Sequence, residues 1–376
     1  MNDQSKKTRA ICILGMHRSG TSAVARAINL LGAYAGEKRD MMLPGPDNPE
    51  GFWERLDIFD LHTRFLKRLH RTWDMISPLP RGWYDLDEAI AMETELIDLV
   101  RKDFSGHALW MWKDPLTCHF LSLWKKALKN LGIDLQCIFT VRSPLDVARS
   151  LKKRNGFSYD KSFRLWFSYN LEILSGISDV QTVFISYDSL LDDAERQMRA
   201  CAEALRIDWP KGDSEVMEEL RSSVRPELRH STSGMAELED AKIPSPVTGL
   251  YKLLLSVTES KGKMDITFGE TIRELADVFF ADRGYVQHDI GTLWNNIDSL
   301  SNQVIDSERR CSELQLDYDR RTEWALRLDK ELKDCREYVG SLQKEFEERT
   351  EWALRLDKEL KERDERIRLL QKKVQR

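Results

Sequence analysis

The chain has 376 residues, 41% of them hydrophobic, with 63 acidic against 58 basic side chains and a net charge of −5. That supports a buried core and excludes the global basic field of a nucleic-acid binder. No run reaches the roughly 18 apolar residues of a spanning helix. The polar start, Met1 to Arg9, lacks a signal-peptide core. Six scattered cysteines read as free thiols of a reducing cytoplasm, and neither they nor the seven histidines have metal-ligand spacing, so no metal site is expected.

The apolar run Ala10 to Leu14 reads as a buried strand, and a helical pattern runs from Ala23 to Leu31. Between them lies Gly15-Met-His-Arg-Ser-Gly-Thr-Ser22. Strand, glycine loop and helix together form a phosphate cradle, whose backbone N–H groups and helix start face an anion. The triphosphate version would need Lys where Thr21 stands. The cation sits earlier, at Arg18, which points to a phosphate-bearing donor other than Mg·ATP. Next come Asp47-Asn-Pro-Glu-Gly-Phe-Trp-Glu54 and three aromatics, Trp73, Trp83 and Tyr84, read as core or lid packing, with stacking on a sugar ring or a tyrosine as the alternative.

Three further short apolar runs, 109–112, 135–141 and 181–185, end at Lys113, at Arg142 and at Ser186-Tyr187. Helical patterns alternate with them, at 144–153, 161–177 and 192–205. The alternation predicts an α/β fold, a P-loop-type, mostly parallel sheet flanked by helices, with its ligand at the carboxyl ends of the strands. A polar stretch, 230–249, reads as a linker, and two helical segments of no assigned role follow it.

From Ile290 the pattern changes. Every seventh residue to Val374 is apolar, thirteen in all, and the companion row is largely leucine, interrupted by Ser307, Arg321, Arg349 and Arg363. A sustained heptad of this kind predicts a long coiled-coil helix, a rod of roughly 130 Å, that self-associates. Residues 321–333 recur as 349–361, four whole heptads later, so the duplication keeps register. The expected division is 8–235 for the catalytic domain, 236–289 for linker and short helices, and 290–376 for the coiled coil.

Over about residues 8 to 235 the motifs resemble the sulfotransferase family of the bacterial type. Gly15 to Ser22 is similar to the family's loop for the 5′-phosphosulfate of PAPS (3′-phosphoadenosine-5′-phosphosulfate). Arg142 and Ser150, eight apart in Val141-Arg-Ser-Pro-Leu-Asp-Val-Ala-Arg-Ser150, resemble its 3′-phosphate pair. Trp112-Lys113-Asp114-Pro115, the segment ending in Glu54, Ser186-Tyr187-Asp188 and Leu228-Arg229-His230 resemble further family segments. The resemblance implies PAPS as co-substrate, bound by Gly15, His17, Arg18, Ser19, Gly20, Thr21, Ser22, Arg142, Ser150, Tyr187 and Arg229. Tyr187 reads equally as a core residue or an adenine neighbour, and Arg229 and His230 also as a solvated loop.

Sulfuryl transfer needs in-line positioning, cations around the moving group and a base for the acceptor hydroxyl. Arg18 and Lys113 supply the cations in this reading. Glu54 is the favoured base, with Glu37 and Glu50 as alternatives. The acceptor implied by analogy is a carbohydrate or glycan precursor. The expected location is cytoplasmic, including the periphery of a membrane-bound glycan-assembly complex. Two other classes compete: a P-loop kinase, and a non-catalytic coiled-coil scaffold with a degenerate nucleotide-binding domain.

Overall fold

The computed structural model describes residues 8–45, 48, 51–80, 82–209, 213–224, 237–238, 241–260, 262–264 and 266–374. Four parallel strands, β1 (Arg9–Leu14), β2 (Leu109–Lys113), β3 (Asp134–Val141) and β4 (Gln181–Ser186), form one sheet in the order β2-β1-β3-β4. Side chains alternate across it. Ala10, Cys12 and Leu14 of β1 enter one apolar layer, and Ile11 and Ile13 enter the other. A strand buried on both faces reads as an unbroken apolar run, which is the signal these segments gave.

The larger layer holds α2 (Leu56–Arg68), α3 (Asp87–Asp103), α4 (Thr117–Asn130), α5 (Pro144–Asn155) and α6 (Tyr159–Gly176). The other holds α1 (Thr21–Leu30), α7 (Tyr187–Asp192), α8 (Ala194–Ala204) and α9 (Asp213–Ser223). Local chemistry sets several ends. α5 starts on Pro144 and stops at Gly156, whose φ of 72° suits a residue without Cβ. α6 is capped by the Ser158 side chain, which accepts from the Lys161 N–H.

The helices beyond the polar stretch are α10 (Ser245–Glu259) and α11 (Phe268–Ala281). Both bury residues in the larger layer: Val247, Leu250 and Leu254 from α10, and Phe268 and Phe279 from α11. They were given no role from sequence, yet they complete the core.

The chain forms two compact units, Met1–Trp294 and Asn295–Arg376. The last helix, α12 (Gly284–Val374), gives its first turns to unit 1 and supplies the helix of unit 2. In unit 2 the apolar row is exposed: Leu332 is 50% and Phe346 is 72% accessible. Some of its arginines pair along the helix, as Arg321 with Asp317 at 2.9 Å and Arg355 with Glu351 at 3.2 Å. No helix among the described residues is long and apolar enough to cross a membrane.

Candidate active site

Strand register brings the candidate residues to one edge. Ile13 of β1 pairs with Lys113 of β2 and with Ile138 of β3, and Val141 of β3 pairs with Ser186 of β4. The four carboxyl ends therefore each deliver one part: the glycine loop, Lys113, Arg142 and Tyr187. The chain leaves β1 for β2 on one side and β3 lies on the other, so a crevice opens above β1, where α/β sheets hold ligands.

On the β3 side, Arg18 Nε donates to Ser150 Oγ at 2.8 Å, and Arg142 donates through one Nη to the Arg18 carbonyl at 2.8 Å. The 3′ pair expected from sequence and the loop cation expected near the moving group thus meet. Arg142 Cζ lies 4.6 Å from the centre of the Tyr187 ring, and Trp166 Nε1 donates to the Arg142 carbonyl at 3.1 Å. Tyr187 is both a core residue and a floor for this guanidinium. Gly20 has φ 88°, and a Cβ there would come within 2.0 Å of the Tyr187 ring, so glycine is required by backbone and space alike. Arg18 itself, at φ 70°, takes a left-handed conformation that costs of order 1 kcal/mol in a non-glycine residue.

Three polar atoms here are buried without a hydrogen-bond partner: Arg142 Nε, Ser143 Oγ and His17 Nε2. The start of α1 has no side-chain cap. A buried donor or acceptor left unpaired costs about 1–3 kcal/mol. Such atoms and an uncapped helix start suit an anionic ligand. Ser22 is otherwise engaged. Its hydroxyl donates to the Phe52 carbonyl at 3.1 Å and accepts from Asn48 at 3.3 Å, tying the loop that carries Glu54 to α1.

On the β2 side, Glu54 forms a buried ion pair with Lys113. Burial raises the Glu54 pKa above the usual 4.5, with Lys113 opposing the rise. Trp53, just before it, is held at φ 57°. Lys113 is fixed from behind by its neighbour. Asp114 accepts from His62 Nδ1 at 2.5 Å and from the Leu116 N–H at 3.0 Å, while His62 Nε2 accepts from Trp124 Nε1 at 2.9 Å. Accepting at Nε2 places the imidazole proton on Nδ1. Sequence reasoning missed His62 and Trp124, because a lone histidine on a helix carries no local signal.

Glu37 is exposed and takes a hydrogen bond from the Tyr34 hydroxyl at 3.3 Å. Asp47, Glu50, Arg229 and His230 lie outside the described residues. His17 sits between the two sides of the site. Its ring centre is 4.6 Å from Trp73 and 5.9 Å from Tyr169. Burial, with Arg154 and then Lys113 adding to it, pushes its pKa well below 6.5, so it is neutral at pH 7. Trp83 packs on Phe65 and Phe120, in keeping with a core role, and Tyr84 is 56% exposed.

No family model matches the chain, and no curated protein does. Among solved structures it is similar to the sulfotransferase domain of the olefin synthase of Synechococcus PCC 7002, at 15% identity, over 74% of this chain and 97% of that one, with a TM-score of 0.35. It is similar to the sulfotransferase domain from the curacin biosynthetic pathway, at 15% identity over 72% and 96%, with a TM-score of 0.33. A sulfotransferase from Mycobacterium tuberculosis is similar at 14% identity over 68% and 77%, with a TM-score of 0.32.

Proposed function

We propose that the chain is a sulfotransferase that moves the sulfuryl group of PAPS onto an acceptor hydroxyl, with a carbohydrate or glycan precursor as the acceptor class. The observation that carries this is the meeting of Arg18, Ser150 and Arg142 beside buried polar atoms that lack partners. A guanidinium can fork onto a phosphate, and Arg142 Nε is the donor left for it. Arg142 and Ser150, with Arg18 bound to Ser150, hold the 3′-phosphate. The backbone N–H groups of 15–22 and the uncapped start of α1 hold the 5′ end. The bound donor supplies the activated sulfuryl group.

Lys113 neutralises the charge that gathers on the leaving oxygen. Glu54 takes the proton of the acceptor hydroxyl. A carboxylate of ordinary pKa is a weak base for an alcohol, and burial strengthens this one by raising its pKa. His17, neutral and buried, acts as a hydrogen-bonding partner of the donor, not as a cation.

The exposed apolar row of unit 2 supports self-association of the tail, since such a stripe in a lone helix gains nothing from exposure. Thermal unfolding tests the donor reading. Adenosine 3′,5′-bisphosphate should raise the melting temperature and ATP·Mg²⁺ should not, because a ligand that binds only the native state stabilises it. No shift with the bisphosphate, or an equal shift with ATP, overturns the assignment.

A further inference from the structure

We propose that Asp289, in the first turns of α12, is a positioning residue of the donor site: it fixes the segment 72–77 and so sets Trp73 against His17 of the glycine loop. This rests on the donor reading above, in which His17 is a hydrogen-bonding partner of the donor.

The segment needs an outside hold. Residues 72–77 join no helix or strand, so their N–H groups have no ladder to enter. Ile76 is fully buried in the larger layer, and its N–H must find a partner inside the protein. Asp289 is that partner. Its carboxylate accepts the Ile76 N–H through one oxygen at 2.7 Å and the Ser77 N–H through the other at 2.9 Å. Asp289 is itself buried, so these are charge-assisted bonds out of water. Thr292, on the same face of α12, extends the hold: Lys161 of α6 donates to Asp74 at 2.6 Å and to Thr292 at 2.9 Å. α6 adds two more bonds. The Tyr169 hydroxyl donates to the Trp73 carbonyl at 2.7 Å, and Ser168 donates to the Ile76 carbonyl at 2.8 Å.

The segment carries Trp73 to the site. The centre of its ring lies 4.6 Å from that of His17, and it stacks on Phe157 at 5.6 Å and 26°. Tyr169, which holds the Trp73 carbonyl, also meets the His17 ring, edge-on at 5.9 Å. The rings that border His17 are therefore tied to each other and, through 76–77, to Asp289. His17 Nε2 is buried without a hydrogen-bond partner. Burial keeps the ring neutral, with Arg154, Lys113, His119 and Arg18 all opposing its protonation. A neutral imidazole serves an anionic ligand through a directed hydrogen bond, not through charge. Its worth depends on where the ring is held, and that is what Asp289 sets.

Calorimetry of adenosine 3′,5′-bisphosphate binding to the full chain tests this by a double-mutant cycle. His17→Asn and Asp289→Ala should each weaken binding about 3–10-fold, as expected for the loss of one hydrogen bond. The two together should weaken it no further than the larger single loss, because Asp289 acts through His17. If Asp289→Ala does not fold, Asp289→Asn takes its place in the cycle; it keeps one acceptor and should show the same coupling at smaller amplitude. Unchanged affinity in the Asp289 variant, with only the melting temperature lowered, makes Asp289 a purely structural residue and overturns the proposal. So do losses that multiply in the double variant, and so does full affinity in His17→Asn. If the unaltered chain fails to bind the bisphosphate, the donor reading falls and takes this inference with it. Binding without the coupling removes this inference alone.

Discussion

In the first unit the telling residues are polar and buried. In the tail they are apolar and exposed. Glu54, Lys113 and Arg142 lie out of water at the strand ends, while Leu332 and Phe346 face it. Each arrangement is unfavourable for the residue type concerned unless a partner offsets it. Buried charge is tolerated when it is paired or when a ligand completes it. An exposed apolar stripe is tolerated when another surface covers it. In the proposed function the first unit is completed by a small polyanion and the tail by further copies of itself.

The comparison breaks most sharply at the base. Glu54→Gln should lower turnover by about 10²–10⁴-fold and remove the acid limb of the pH–rate profile, with bisphosphate affinity kept. Steady-state kinetics with near wild-type turnover would hand the role to another glutamate. Arg142→Ala comes next. It should weaken adenosine 3′,5′-bisphosphate by about 10–100-fold and 5′-AMP far less, because only the former carries a 3′-phosphate. Equal losses in calorimetry would take Arg142 out of that role.

A pH measurement sharpens the buried side further. Glu54 must be ionised to act, so the rate falls as pH drops through its pKa, and burial puts that limb above 4.5. Lys113 favours the ionised form. Lys113→Met should therefore move the acid limb to higher pH while lowering kcat, and a limb that stays put would uncouple the pair.

On the exposed side, Leu332→Glu with Leu360→Glu should dissociate the oligomer and leave turnover unchanged. Deleting 321–348, four heptads, should keep both assembly and activity. Sedimentation that finds the unaltered chain monomeric at micromolar concentration would end the self-association reading. The smallest effect is expected at Asp289. Asp289→Ala leaves the buried Ile76 N–H and the half-buried Ser77 N–H unpaired and should cost about 1–3 kcal/mol of stability in denaturant unfolding.

The fold was legible because its signals are local. Four apolar runs each became a strand, and Gly15 to Ser22 stood where strand meets helix. The site was legible only in pieces. Arg142 and Ser150 are eight apart, so a motif could join them. Arg18 and Ser150 are 132 apart, and only the sheet joins those. Sequence favoured Glu54 over Glu37 only by its place in a motif, since both follow the donor loop. The fold puts one against Lys113 and the other under Tyr34.

The sequence by itself determined the local patterns: unbroken apolar runs for the strands, a period of seven along the tail, and a glycine loop with its cation at Arg18 and Thr21 where the triphosphate version needs lysine. These are properties of neighbours along the chain, and backbone geometry converts them directly into strand, helix and turn. Tertiary structure alone decided which buried charges share a crevice, because strand register sets Lys113 level with Ile13 and Ser186 level with Val141. It also decided that Asp289, near the root of the tail, holds the segment behind Trp73. Contacts between residues more than 200 positions apart depend on packing, and no local pattern encodes them.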